Sequence, residues 1–231
     1  MNTITKISGM MTTAQAAEAL GVGVHNVGRL VREGEFSCMR TAGGAMLIPA
    51  IEVQEYAQLR QGRGRPLAST IAMAALWELS GIRAGWLDYS QARRLRMRLA
   101  AVPAVDLVWQ ARKRARVLTF RCDSSFLNTA ANMVVLSGRS CLDEFGLVSD
   151  ADVLEGYVRA DSLDTVIGSC FMVPDSTGNV VLHVAEWMPE NVGGAMPVAV
   201  SAADLAASLD TRERSAGLEA LEGMLDEYSR V

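Results

Sequence analysis

Side chains suited to covalent or metal chemistry are few in this chain. His183 sits inside the apolar run Val180-Val181-Leu182-His183-Val184, where a packed strand histidine is the usual case. His25 lies in a segment that reads as a surface helix. Ser137-Gly138-Arg139-Ser140-Cys141 could surround a nucleophilic thiol, but no partner base can be named for it. Cys38, Cys122, Cys141 and Cys170 form no CxxC, and no zinc-ligand spacing, HExxH, Walker A or GxSxG motif occurs. The expectation is therefore no catalytic residue, no metal and no cofactor. What the chain has in clusters is arginine, whose fixed fork of donors suits phosphates and base edges.

The elements that would position such arginines begin at Thr12. Thr12 with Gln15 three residues on has capping-box spacing, and Ala16, Ala17 and Leu20 then share a helical face. Gly21-Val22-Gly23 breaks that helix and permits a tight turn. A second helix follows, with Val27, Leu30 and Val31 at core spacing. His25, Asn26, Arg29 and Arg32 are left as candidates to face DNA, with Gly28 among them. Two short helices joined by a glycine turn form the unit that lays its second helix in a major groove.

Phe36–Thr41 and Ala45–Ile48 read as two strands joined by the Ala42-Gly43-Gly44 turn, with Arg40 on the first. Pro49 stops the second strand, and Ile51, Val53 and Tyr56 suggest a closing helix. ALGVGVHNVGRLVREGEF and TAGGAMLIPAIEVQEY resemble the winged helix-turn-helix of the MerR and excisionase families over roughly Met11 to Leu59. The resemblance implies a wing resting on phosphates. Departures from the family pattern are Gly23 where the recognition-helix cap is usually Ser, Val24 and His25 where basic residues are common, and Ala45-Met46 at the wing tip. A winged helix used for protein contacts is the plain alternative.

At 231 residues, half of them apolar, the chain can bury sizeable cores. No apolar run approaches a membrane span, and MNTITK lacks the pattern of a secretion signal. With scattered thiols this predicts a cytoplasmic protein that does not engage membranes. The formal net charge of −4 hides a strong division. Residues 1–59 carry 4 basic and 5 acidic side chains, net −1; residues 60–121 carry 13 and 3, net +10; residues 122–231 carry 5 and 18, net −13. A basic middle and an acidic end suggest different partners for each.

Arg63-Gly64-Arg65-Pro66 reads either as a solvated linker or as an AT-hook core, in which Arg63 and Arg65 would enter a narrow minor groove. Leu67–Ser80 reads helical. Asp88 or Ser90 opens another helix, with Leu95 and Leu99 inward and Arg93, Arg94, Arg96 and Arg98 outward. Leu107-Val108-Trp109 starts a strand or a helix. Arg112-Lys113-Arg114-Ala115-Arg116 is a dense cationic run that reads either as a solvated face or as one with a negative neighbour, DNA phosphate or the acidic third of the chain. Val117–Phe120, Met133–Leu136 and Gly156–Val158 read as strands. Cys170–Val173 and Val180–Val184 read as a hairpin across Asp175–Asn179. Ser201 with Asp204, and Asp210 with Glu213, have cap-to-N3 spacing, and Leu218, Leu221, Leu225 and Tyr228 line one face of a last helix.

RGRP, ALWELSG, RRLRMRL, GNVVLHV and the closing AVSAADLAASLDTRERSAGLEALEGML resemble abortive-infection type IV antitoxins. That resemblance implies an antitoxin that binds its own promoter as double-stranded DNA, with a nucleotidyltransferase-type toxin as the cognate partner. The alternative is a transcriptional regulator or recombination directionality factor whose C-terminal domain binds a ligand or oligomerises. The predicted fold class is α+β: a winged helix-turn-helix over residues 1–62, then a mixed α/β domain over 63–231, basic and helical to 121 and acidic beyond. The candidate DNA-contacting residues are His25, Asn26, Arg29, Arg32, Arg40, Arg63, Arg65, Arg94, Arg98 and Lys113.

Overall fold

In a computed structural model that describes residues 9–190 and 192–230, Thr12 caps the first helix as its spacing predicts. The Gln15 amide donates to Thr12 Oγ1 at 3.2 Å, and the Thr12 amide donates to Gln15 Oε1 at 2.9 Å. The N-terminal MNTITK segment lies outside the described residues. Contacts divide the chain into two compact units, Met1–Arg60 and Gln61–Val231.

The first unit runs β1 (Met10–Thr12), α1 (Thr13–Leu20), α2 (Val24–Arg32), β2 (Met39–Arg40), β3 (Met46–Pro49) and α3 (Ala50–Leu59). Gly21 turns the chain between α1 and α2 at φ +61°, a left-handed conformation that side chains with a Cβ rarely adopt. Ala16, Ala17, Leu20, Val27, Leu30, Phe36, Ile48 and Val53 make the core. Phe36 meets Tyr56 edge to face, centroids 5.2 Å apart. The wing is shorter than its predicted strands, because Met39 and Arg40 pair only with Leu47 and Met46 of β3. β3 gains a partner that the alternation of side chains did not announce: β1 pairs with it antiparallel, Met11 opposite Ile48.

The second unit begins with helices α4 (Ser69–Leu79), α5 (Tyr89–Leu99) and α6 (Ala104–Ala111), the last resolving the Leu107–Trp109 ambiguity in favour of helix. A 3-10 turn at Arg112–Arg114 leads into β4 (Arg116–Arg121). There follow α7 (Ser124–Ala131), β5 (Val135–Leu136), a 3-10 segment at Gly138–Phe145, β6 (Leu154–Arg159), α8 (Leu163–Ser169), β7 (Val173–Pro174), β8 (Val180–Ala185), α9 (Val198–Leu205) and α10 (Thr211–Ser229). The sheet has the order β5-β6-β8-β4-β7, with β6 parallel to β8.

Three local expectations fail here for tertiary reasons. The predicted hairpin does not form: β7 and β8 both pair with β4, which lies between them. Met133–Leu136 is strand only at its last two residues. Ser201 does not cap a helix, because α9 has already started after Pro197, and both Ser201 and Asp204 are buried inside it. Asp210 does cap α10, accepting from the amides of Arg212 and Glu213. No helix of the described residues is long and apolar enough to cross a membrane.

Candidate nucleic-acid interface

α2 is an amphipathic helix, with Val24 exposed at its start. Val27 and Leu30 are buried in the core, while His25, Asn26, Arg29 and Arg32 are all exposed. Positions 25, 29 and 32 follow each other at four- and three-residue steps, so they share one side of the helix. No side chain caps α2, because its N-cap is Gly23. No cap side chain therefore engages its first-turn amides, although the Asn26 amide donates to the Gly23 carbonyl at 2.9 Å, and helix N-termini favour anions.

Arg29 Nη1 donates to both carboxylate oxygens of Glu33, at 2.8 and 2.7 Å. This contact was missed in the sequence, although the i,i+4 spacing of Arg29 and Glu33 could have signalled it. The pair is half exposed, and such pairs are weak in water. A bidentate base contact, about 1–3 kcal/mol of discrimination, would outcompete it. Beside α2, Arg40 is exposed on β2 of the wing. The base of the wing is tied to α3: the Ser37 amide donates to Glu52 Oε2 at 2.7 Å, and Ser37 Oγ also bonds to Glu52. Arg60 Nη1 closes the unit by donating to the Leu20 carbonyl at 2.8 Å.

Within the second unit, the RGRP stretch is neither a loose linker nor a free extended hook. Its backbone is held by α6. The Arg63 amide donates to Asp106 Oδ1 at 2.7 Å, Gln110 Nε2 to the Arg63 carbonyl at 3.0 Å, and Trp109 Nε1 to the Gly64 carbonyl at 2.9 Å. A Cβ on Gly62 would collide with the Val105 carbonyl and Trp109 Cβ. The side chains of Arg63 and Arg65 stay exposed. Arg94 and Arg98 are exposed on α5, where they border a shallow cleft of about 290 Å³ with Leu67, Ile71 and Gln91. Lys113 is exposed on the 3-10 turn. The structure thus gathers His25, Arg29 and Arg32 on one helix face with Asn26 exposed at its flank, and spreads the remaining candidates over the wing, the α6-bound stretch, α5 and the turn.

The cationic run at 112–116 does not behave as one face. Arg112 stacks over the Trp109 ring, 3.5 Å from its centroid, while Arg114 turns inward. Arg114 forms a buried ion pair with Asp204, and its Nε donates to Tyr157 Oη at 2.7 Å. Tyr157 Oη donates in turn to Asp204 Oδ1 at 3.0 Å, and Ser137 Oγ to Asp204 Oδ2 at 2.5 Å. His183 stacks on Tyr157 with centroids 4.6 Å apart, and its Nε2 meets Glu155 Oε1 at 2.8 Å. The amide of Arg139 donates to Glu155 Oε2 at 3.0 Å. Sequence spacing could not show this cluster, since its members come from β6, β8, α9 and two 3-10 segments.

Burial alone would push Glu155 up and His183 down. The mutual contact, with Arg139 beside Glu155 and Asp204 beside His183, reverses both: the carboxyl is held below its usual range and the imidazole above its own. Ligand atoms of Glu155, His183 and Asp204 lie within 4.8 Å of one another, a grouping that could hold a cation. The Arg114 guanidinium already fills that role at Asp204. Cys141, next to this cluster, is pushed up to about 11, chiefly by burial, so it remains a thiol at neutral pH.

Residues 10–60 match the family model of a helix-turn-helix domain. The first unit is therefore a winged helix-turn-helix, the class used by DNA-binding regulators. No curated protein and no solved structure matches the chain.

Proposed function

We propose that the chain regulates transcription at its own promoter by binding duplex DNA with α2 in the major groove and the wing over flanking phosphates. The observation that carries this is the exposed His25, Arg29 and Arg32 face of α2, set opposite the buried Val27 and Leu30 and flanked by exposed Asn26. Phosphate contacts position such a helix and the base-edge contacts choose the sequence. A gel shift with the upstream region tests it. Preference for that DNA over random duplex is the expected result, and equal binding to both would sink the proposal.

The finer reading is that the chain is a cytoplasmic, non-catalytic antitoxin that counters a nucleotidyltransferase-type toxin. Its support is the resemblance in RGRP, ALWELSG, RRLRMRL, GNVVLHV and the closing helices, together with the acidic charge of residues 122–231. The inward-facing polar cluster of the second unit suits a structural role, since Tyr157 is 0% and His183 5% exposed. Co-expression of the chain with the product of the neighbouring reading frame tests this reading. Rescue of growth by an Arg32→Ala variant that no longer represses would support direct antitoxin action. Protection that disappears together with repression would leave a plain regulator.

A further inference from the structure

α5 opens on a capping box, Asp88 with Gln91, which places Tyr89 in its first turn. Tyr89 is 85% exposed. Arg93 and Arg96 follow it at four and seven residues, on the same side of the helix. Together with Arg83 they border a cleft of about 530 Å³ between α5 and the loop after α4. Glu78 also borders it, but one of its carboxylate oxygens is engaged by the Ala84 amide at 3.0 Å. Arg96 lies near Tyr228 of α10. The side chains of Arg83 and Arg93 have no hydrogen-bond or ion-pair partner among the described residues.

The charge around this cleft is unlike that of the unit it belongs to. Residues 61–231 hold 17 basic and 21 acidic side chains, net −4, yet α5 carries four arginines and no acid. A polyanion would be repelled by the acidic residues 122–231 and drawn to the basic part of the unit that includes α5. Met97, 68% exposed, flanks this side of the helix, and Arg94 and Arg98 line a separate cleft on its far side, so α5 is cationic around its exposed surface. Phosphate alone would not explain an exposed tyrosine at the mouth. Arginines that follow a backbone beside an open aromatic ring are the elements of single-strand recognition, where each unpaired base offers a face to stack.

We propose that the α5 cleft is a second nucleic-acid site, distinct from α2 and the wing, that takes a single strand. Arg83 and Arg93 hold the phosphodiester and Tyr89 stacks an unpaired base. The site stands on its own observations and does not require the promoter reading to hold. The test uses the full chain with a labelled mixed-sequence single-stranded oligonucleotide, titrated at several salt concentrations, and a duplex of the same sequence. Tyr89→Ala should weaken strand binding by about fivefold or more, whereas Tyr89→Phe retains it. Arg83→Ala with Arg93→Ala should weaken it further and reduce the salt slope by about 1.4, two contacts at roughly 0.7 each. Arg32→Ala should weaken duplex binding and leave the strand affinity unchanged. Unchanged strand affinity in the Tyr89→Ala protein overturns the proposal. So does a parallel loss for strand and duplex, which would make α5 a duplex backbone contact, and so does complete competition by a mononucleotide.

Discussion

The two units place arginine in opposite ways. On α2, Arg29 and Arg32 stand in solvent over a small apolar core, and Arg29 pairs with the exposed Glu33 at the end of the helix. In the second unit Arg114 is buried against Asp204 and Tyr157. An exposed arginine adds little to folding and is free to act on a partner. A buried one is bound into the fold, and its loss is felt as instability. The same residue type therefore predicts function in one unit and architecture in the other.

The largest effect expected is on Asp204. Asp204→Ala leaves the Arg114 guanidinium and the Tyr157 hydroxyl buried without their shared acceptor. Breaking such a pair from one side costs about 3–5 kcal/mol, which chemical denaturation would read as a lower unfolding midpoint. A variant as stable as the parent would mean that the cluster is hydrated or rearranged, and the contrast between the units would fall.

Arg32→Ala should do the reverse. Its unfolding midpoint should stay close to the parent's, while affinity for the promoter duplex falls by about tenfold, as expected when a base or phosphate contact is lost. Equal loss of stability and binding would place Arg32 in the fold rather than at the interface.

Much of the first unit could be read from the chain because its signals are local. Thr12 and Gln15 cap, Gly21 turns, and Val27 with Leu30 sets the buried side of α2, all within about twenty residues. The second unit hides its organisation in long-range pairings. β4 separates β7 from β8, so two strands adjacent in sequence never meet. Ser201 and Asp204 have cap spacing, yet Asp204 is an interior acceptor for groups drawn from residues 114, 137 and 157. No periodicity encodes such a meeting. Glu52 beneath the wing was missed for the same reason, lying fifteen residues from Ser37.

The buried cluster should also leave a signature in pH. The folded-state value of His183 is raised above 6.5, so its contribution is fully present below 6.5 and is lost as the pH rises through the raised value. The folded-state value of Glu155 is lowered below 4.5, so its contribution is present above 4.5 and is lost as the pH falls through the lowered value. Stability from this pair should therefore be greatest between 4.5 and 6.5. Unfolding midpoints measured from acid to mildly alkaline pH would show it, and Glu155→Gln with His183→Gln should flatten the profile. A profile unchanged by the double substitution would assign the pH dependence to other groups.

The smallest effect expected concerns the contact that holds Arg29 in place. Glu33 occupies the Arg29 guanidinium and adds a negative charge to the helix that would face DNA phosphate. To reach a base, Arg29 must leave it. Glu33→Gln removes the competing charge while keeping a side chain of similar size. Because the pair is exposed and screened, the gain in duplex affinity should be modest, roughly twofold, and should shrink as salt is raised. The opposite sign is equally informative. If Glu33→Gln weakens binding as much as Arg29→Ala does, Glu33 serves to hold the guanidinium in its reading position, and the pair acts as one recognition element. If neither substitution alters binding while Arg32→Ala still does, Arg29 lies off the contact surface, and the α2 face narrows to His25, Asn26 and Arg32.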